Sequence, residues 1–495
     1  MVNVFENIEA LIHYGLETKL ISKQDEIYVR NRFFALFNIN QQEHEGIKTF
    51  PLEIILENLV SYALENHLVE DSLSSKEIFI DELMNILLDR PSNIIRNFKN
   101  LYREDSRLAT EYFYELNIAS NYIKSYRIKN DVKWTTKTEF GELDITINLS
   151  KPEKDPKDII TAKSAPVSSY PACLLCKENE GYKGHVNHPS RANIRLIPIK
   201  LGNEQYYFQY SPYSYYNEHC IVLSDNHIPM RMDKSIIEQL LDFVSKFPHY
   251  FLGSNAGLPV VGGSILSHEH FQGGRYHFPM EDAEVIHTFV LKDFDLEASI
   301  LKWPLSVIRI SSKDKNKLID AASYILDKWR MYEDKEVPII PYTGETSHNT
   351  YTPIARINKE NEYELDLVLR NNLTSEEFPL GIFHTHPEFH HIKKENIGLI
   401  EVMGLAILPS RLKQEMEYMK QYLLEEPLDL SLISSHKPWL DSLKIKHKFN
   451  KNNVDLLLKQ EIGLTFAELL KDSGVFKPTE EGLIFFKRFV DFLNK

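Results

Sequence analysis

The chain has 495 residues, 43% hydrophobic and 26% charged, an ordinary globular composition that excludes collagen-like, disulfide-stapled and disordered classes. Lys and Arg total 57 against 71 Asp and Glu, and the net charge of −14 argues against nucleic acid or a membrane surface as partner, since both attract a basic field. The length predicts two or three domains, and three cysteines, Cys173, Cys176 and Cys220, give no disulfide framework, as in a reducing compartment.

The opening MVNVFENIEALIHYG holds no basic region ahead of a long apolar run. Nowhere do about 18 apolar residues run uninterrupted, so the chain reads as cytoplasmic. Residues 1–128 read as helical: Phe5, Ile8, Leu11 and Ile12 share one face, and Ile55, Leu59, Tyr62 and Ala63 another. Ser22 with Asp25 is a capping-box candidate. No chemical cluster falls in this segment, which is expected to be structural, for packing or assembly. At Leu143 the period becomes two, with Leu143, Ile145, Ile147 and Leu149 on one face of a strand. A loop rich in Lys, Pro, Asp and Ser follows over 151–171 and reads as a flexible connection. NIRLIPI, QYYFQY and HCIVLS predict strands. Ile236, Ile237, Leu240, Leu241 and Val244 predict an amphipathic helix with Asp233 as its cap. A second β-rich block spans about 303–410 and contains ELDLVLR and LGIFHTH, with GLIEVMGLAIL read as helical. After 411 the pattern is helical to the end, through Leu483, Phe486, Phe489, Val490 and Leu493. Strands and helices mix without regular alternation, so the expected class is α+β. A His-x-His in each middle block, at 268/270 and 384/386, hints at an internal duplication.

The densest motif is Ser267-His268-Glu269-His270-Phe271-Gln272-Gly273-Gly274. As a strand it sends His268, His270 and Gln272 to one face, and Glu269 and Phe271 to the other. Imidazoles and a carboxamide converging on one side make poor core and good chemistry. A histidine nitrogen attacks phosphorus when its other nitrogen is held by a hydrogen bond. Gln272 is a neutral donor for a phosphoryl oxygen, and the glycines let backbone N–H groups approach an anion. Residue types alone leave a structural metal site open beside phosphate chemistry. Cys173-Leu-Leu-Cys176 suits zinc, or equally a pair of half-buried thiols. Cys220 reads as a packed small hydrophobe. Seven aromatics within Tyr206–Tyr216 favour a packed strand and turn over a wall for a base or sugar. His384, His386, His390 and His391 form a second cluster open to metal or substrate roles, with His384 and His386 expected not to be nucleophiles.

His268-Glu269-His270-Phe271-Gln272, with NHPSRANIRLIP, QYSPYSYYNEHCIV, GLPVVGGSILSHEHFQGG and HHIKKENIGLIEVMGLAILP, resembles the firmicute-type galactose-1-phosphate uridylyltransferases. These are the branch of the histidine-triad superfamily with Gln at the third triad position. The resemblance runs from about 140 to 420, and the helical N-terminal segment is similar to that branch as well. It implies two histidine-triad-like α+β halves with helical additions: a helical segment 1–128, a catalytic half 129–300, a second half 301–411 and a helical tail 412–495. It implies a homodimeric enzyme of galactose metabolism that exchanges UMP between UDP-glucose and galactose 1-phosphate, with no organic cofactor. His270 would become uridylylated and Gln272 would bind the phosphoryl oxygens. Arg191, Arg195, Asn255, Ser267 and Gly273 are the implied substrate contacts, and Cys173, Cys176, His227 and His268 the implied zinc ligands. Arg356, Asn371 and Asn372 are candidates for hexose hydroxyls. The rivals are a histidine-triad nucleotide hydrolase or phosphorylase, which keeps His where Gln272 stands, and a non-catalytic sugar-nucleotide-binding protein.

Overall fold

The computed structural model of the chain describes residues 3–41, 49–149, 169–263 and 265–495. The loop expected at 151–171 therefore lies, up to residue 168, outside the described residues. The N-terminal segment is helical at Val4–Glu17, Glu26–Leu36, Leu52–Glu65, Leu73–Leu87, Pro91–Glu104, Ser106–Ala119 and Ser125–Ile128. Local chemistry sets these starts. The Ser22 N–H and hydroxyl both donate to Asp25 Oδ2, at 3.1 and 2.6 Å, and Ser72 and Asp105 cap their helices through side-chain oxygens. Ile8, Leu11, Ile12, Ile55, Leu59 and Ala63 are all at most 2% exposed, on the faces their spacing predicts.

The centre is one antiparallel ten-stranded sheet. A hairpin comes first, β1 (Val132–Thr138) and β2 (Gly141–Ile147). The first half of the large sheet comprises β3 (Ile197–Leu201), β4 (Glu204–Tyr210), β5 (Cys220–Ser224), β6 (Phe251–Gly253) and β7 (His270–Gly274). Its second half comprises β8 (Val285–Leu291), β9 (Leu296–Leu301) and β10 (Val307–Ser312), then, past the two-residue strands β11 (Tyr342–Thr343) and β12 (Thr346–Ser347), β13 (Asn349–Ile357) and β14 (Tyr363–Asn371). The spatial order is β3-β4-β5-β7-β6-β13-β14-β10-β9-β8. Each half runs three strands, a helix (Lys234–Lys246 or Lys315–Met331) and two strands, and the halves meet at the β6–β13 pair. The duplication is thus real in topology. Its second His-x-His is not the counterpart of the first, because His384 and His386 lie beyond β14 in irregular chain; the strand equivalent to β7 is β14, carrying Asp366 and Arg370.

Pairing across the sheet divides its faces. Phe271, Leu252, Ala355, Leu367 and Ile308 face one core, shared with the N-terminal helices, both crossover helices and the last helix, Glu480–Leu493. Phe251, Ile354, Val368 and Val307 face a second core with β1, β2 and the helices Arg411–Leu423, Lys437–Lys446 and Val454–Ser473. The stretch expected to be helical, GLIEVMGLAIL, is instead one turn, Leu399–Val402, followed by β15 (Leu405–Leu408), which pairs in parallel with β2. Gly404 at φ +99° breaks the helix, and a side chain there would meet Trp303 at 2.9 Å.

Candidate functional site

The motif from His268 to Gly274 enters the sheet between β5 and β6. Glu269 N–H donates to Ile228 O (2.7 Å) and Ser224 N–H to Glu269 O (3.0 Å), and from His270 the strand pairs on both sides. Alternation then sorts the side chains as the sequence predicts. Glu269, 0% exposed, takes the Tyr206 hydroxyl at 2.6 Å and Arg231 Nε at 2.8 Å, and Phe271 packs against the Tyr206 ring. His270 and Gln272 share the opposite face, and His268 precedes the strand with its ring turned to Cys173 and Cys176.

His270 is buried, and its Nδ1 lies 2.8 Å from the His268 carbonyl. A carbonyl only accepts, so the proton sits on Nδ1 and the Nε2 lone pair is left for chemistry. Burial, partly offset by that hydrogen bond, holds the imidazole pKa down at about 4, so the ring is neutral near pH 7. Beside it, Gln272 is partly exposed and its Oε1 lies 3.2 Å from His219 Nε2.

Four donors converge next to His270. Cys173 Sγ is 3.5 Å from Cys176 Sγ and 3.3 Å from His268 Nδ1, while Cys176 Sγ is 3.1 Å from His227 Nδ1 and 3.7 Å from His268 Nδ1. All four ligand atoms lie within 4.8 Å of one another. A tetrahedral ion with bonds of zinc length spaces sulfurs about 3.8 Å apart and sulfur from nitrogen about 3.5 Å, so the set fits with shifts of a few tenths of an ångström. His268 Nε2 lies 3.0 Å from Ser224 O, which makes it the donor and leaves Nδ1 as a neutral ligand. Four protein donors close the shell, the signature of a structural site.

Other expected contacts fall elsewhere. Arg195, 5% exposed, gives Nε to Asp89 O, Nη1 to Ala192 O and Ile194 O, and Nη2 to Asn85 Oδ1. Its guanidinium thus ties the helical segment to the lead-in of β3. Gly273 faces away from His270; a Cβ there would sit 2.4 Å from Phe251 O, so the glycine serves strand packing rather than an anion. Arg191 is half-buried, with Nη1 on Ser190 O at 3.2 Å. Ser267 is exposed just before His268. Asn255, beyond the end of β6, accepts from Leu399 N–H at 3.1 Å. Arg356 is buried against Asp366 and Glu364, at 2.6 Å each, and Asn371 is bonded to Asn349, which removes both from the hexose candidates. Asn372 holds His348 and Pro259 O.

The tyrosine run is packed, as the sequence favours: Tyr206 and Tyr210 are fully buried, and Cys220 is 0% exposed. The later histidines do not converge. His384 contacts Asn396, His386 contacts Asp472, His390 contacts Thr385 O, and His391 contacts His436. Among the described residues, the Cys173 group is the one set of three or more metal donors brought together. His219, which the sequence did not single out, is brought beside Gln272 by the pairing of Ile221 with Gln272, a register that no sequence signal gives.

Comparison with known proteins fits this geometry. Residues 19–229 match the family model of the galactose-1-phosphate uridyl transferase N-terminal domain, and 243–441 that of its C-terminal domain. The chain is 50% identical over 500 residues to a galactose-1-phosphate uridylyltransferase of Clostridium acetobutylicum, covering 100% of both chains. It is 46% identical over 511 residues to that of Bacillus subtilis, covering 100% of this chain and 98% of the relative. Both domain models, two full-length relatives and a buried, tautomer-fixed histidine beside a glutamine agree: the chain belongs to the galactose-1-phosphate uridylyltransferase family of nucleotidyltransferases.

Proposed function

We propose that the protein exchanges UMP between UDP-glucose and galactose 1-phosphate through a uridylyl group carried on His270. The observation that supports this most is the His270 ring itself, neutral and with Nδ1–H held by the His268 carbonyl. In the first step the Nε2 lone pair forms a bond to the α-phosphorus of UDP-glucose. The bond to the bridging oxygen breaks, and glucose 1-phosphate leaves with that electron pair. The ring becomes cationic, and the carbonyl on Nδ1–H stabilises that charge without a proton transfer. In the second step an oxygen of galactose 1-phosphate attacks the same phosphorus, the P–N bond breaks, and UDP-galactose forms. Gln272 donates to the phosphoryl oxygens but has no labile proton to give, which disfavours protonating the wrong leaving group. Arg191, Asn255 and Ser267 are the remaining proposed substrate contacts.

A zinc ion held by Cys173, Cys176, His227 and His268 would act structurally, its shell being closed. In that role the four residues keep the His268 backbone in place, and with it the carbonyl that orients His270. The reading extends, on the family resemblance, to a homodimer in the cytoplasm; no helix among the described residues is long and apolar enough to cross a membrane.

The test is a single-substrate incubation. Wild-type protein with UDP-glucose alone should release about one equivalent of glucose 1-phosphate per site and gain the mass of UMP on His270, as a ping-pong enzyme must. His270→Gly should bind UDP-glucose without burst or mass gain. Labelling at another residue, or full transfer with no covalent species, overturns the mechanism.

A further inference from the structure

We propose that His219 is a positioning residue for the transfer: its Nε2–H holds the carbonyl oxygen of the Gln272 side chain, so that the amide NH2 is turned outward to the phosphoryl group. The inference deepens the proposed uridylyl transfer and rests on it.

The placement follows from register. Ile221 pairs with Gln272, and residues directly opposite in an antiparallel pair share a face, so His219, two residues earlier, lies on the face of His270 and Gln272. Its Nε2 is 3.2 Å from Gln272 Oε1, and the residue is 2% exposed. The ring packs against Tyr216, with centroids 4.5 Å apart, and Tyr215, at 5.4 Å. That packing is anchored to β7 itself, because the Tyr216 hydroxyl donates to Gly273 O at 3.1 Å. His219 N–H donates to Tyr216 O, and its own carbonyl accepts from Ser211 N–H.

The proton position decides what this contact does. Burial holds the His219 pKa at about 4, so the ring is neutral and carries a single N–H. Its Nδ1 is buried with no partner. Placing the proton there would bury a donor without an acceptor, the rarer and costlier arrangement. The proton therefore sits on Nε2, and only an oxygen of Gln272 suits it. With that oxygen held inward, both amide hydrogens face the site. Without His219 the amide is free to rotate by half a turn and point its oxygen lone pairs at an anionic phosphoryl group. The donor to the phosphoryl oxygens is then lost in a large share of molecules, and the residual ones are unconstrained.

A double-mutant cycle on the uridylylation burst tests this. His219→Phe keeps an aromatic ring against Tyr215 and Tyr216 but removes the donor. It should slow formation of the uridylyl-enzyme by about tenfold while the KM for UDP-glucose changes by no more than about twofold. His219→Gln, which restores an N–H donor, should recover part of that rate. In a Gln272→Ala background, His219→Phe should cause no further slowing, since there is no amide left to orient. Equal slowing by His219→Phe with or without the Gln272 side chain, or no slowing in either, overturns the proposal. If His219→Phe does not fold, His219→Gln carries the same cycle, and its burst should exceed that of a His219→Leu control. The wild-type arm separates the two layers: no uridylyl-His270 there defeats the reading of the site, whereas a normal wild-type burst with an additive cycle defeats only the role of His219.

Discussion

Replacing Arg195 by Met distinguishes a structural guanidinium from a phosphate contact. Methionine keeps most of the length and apolar bulk of the stem while deleting four hydrogen bonds, two of them to Asn85 and Asp89 in the helical segment. Bonds from a charged donor are worth about 1.5–3 kcal/mol each before the cost of burying the charge. That cost is visible in the pKa, which burial lowers from 12.5 to about 10 although Glu180 and Asp89 oppose it. At about 1.4 kcal/mol per pKa unit that cost is about 3.5 kcal/mol, against a gross gain of about 6–12 kcal/mol. The expected net loss on substitution is about 3 kcal/mol or more, read from urea unfolding followed by tryptophan fluorescence. Asn85→Ala should cost about 1 kcal/mol alone and nothing more once Arg195 is gone, since the two share one bond. Kinetics then discriminate. A structural role predicts a KM for UDP-glucose within about twofold of wild type at a temperature where the variant is folded. Unchanged stability with a KM raised about tenfold or more would refute the reasoning and return Arg195 to the substrate.

The metal group and the strand packing give two further tests. Purified protein should carry about one equivalent of zinc, and Cys176→Ser should lose both the metal and several degrees of thermal stability; metal-free wild-type protein with unchanged melting behaviour counts against the site. Gly273→Ala should cost about 3 kcal/mol or more, since the new methyl would lie 2.4 Å from Phe251 O and 2.8 Å from Leu252 Cδ1, both on the paired strand β6. A well-folded Gly273→Ala protein with normal stability but a raised KM would instead favour an anion role for that backbone.

What the sequence made legible was local or periodic. Alternation separates His270 and Gln272 from Phe271, because successive side chains of a strand point to opposite faces, whereas His268 lies in the bend just before β7. The cap at Asp233 accepts from Ser235 and Ile236 N–H, since an Asx side chain before a helix reaches only those donors. The metal group was legible through family resemblance: His227 lies 51 positions beyond Cys176, and no spacing rule would have joined them. The misses share a different cause. Arg195, Arg356 and Gly273 each carry a residue type that suits phosphate or sugar, but their partners come from other elements: Asp89, Asp366 and Phe251. A guanidinium looks the same in sequence whether a substrate or a buried carboxylate satisfies it. His219 was invisible for the converse reason, because its importance comes from the register of β5 against β7.

That register also explains why the proposed chemistry falls in one half of a duplicated sheet. A single cross-strand row runs Ile221, Gln272, Gly253, Ile354, Asp366, Arg309. It is symmetric about the Gly253–Ile354 pair, so Asp366 is the counterpart of Gln272. Each of these two is held by a donor from its outer strand or the chain leading into it, Gln272 by His219 and Asp366 by Arg309 at 2.6 Å. The difference lies in what covers them. Asp366 is 0% exposed and shared between Arg309 and Arg356, so its ionised form is held below the usual carboxylate range despite burial, and its oxygens are spent on protein donors. Gln272 keeps partial exposure and spends only its oxygen, leaving two donors unspent. A buried carboxylate closed by two guanidiniums has nothing left for a ligand, and opening it would strand charges in the interior. An amide held by one neutral histidine has no such cost and a free donor pair. On these grounds the first half can acquire a phosphoryl site while the same place in the second half is committed to holding the sheet together.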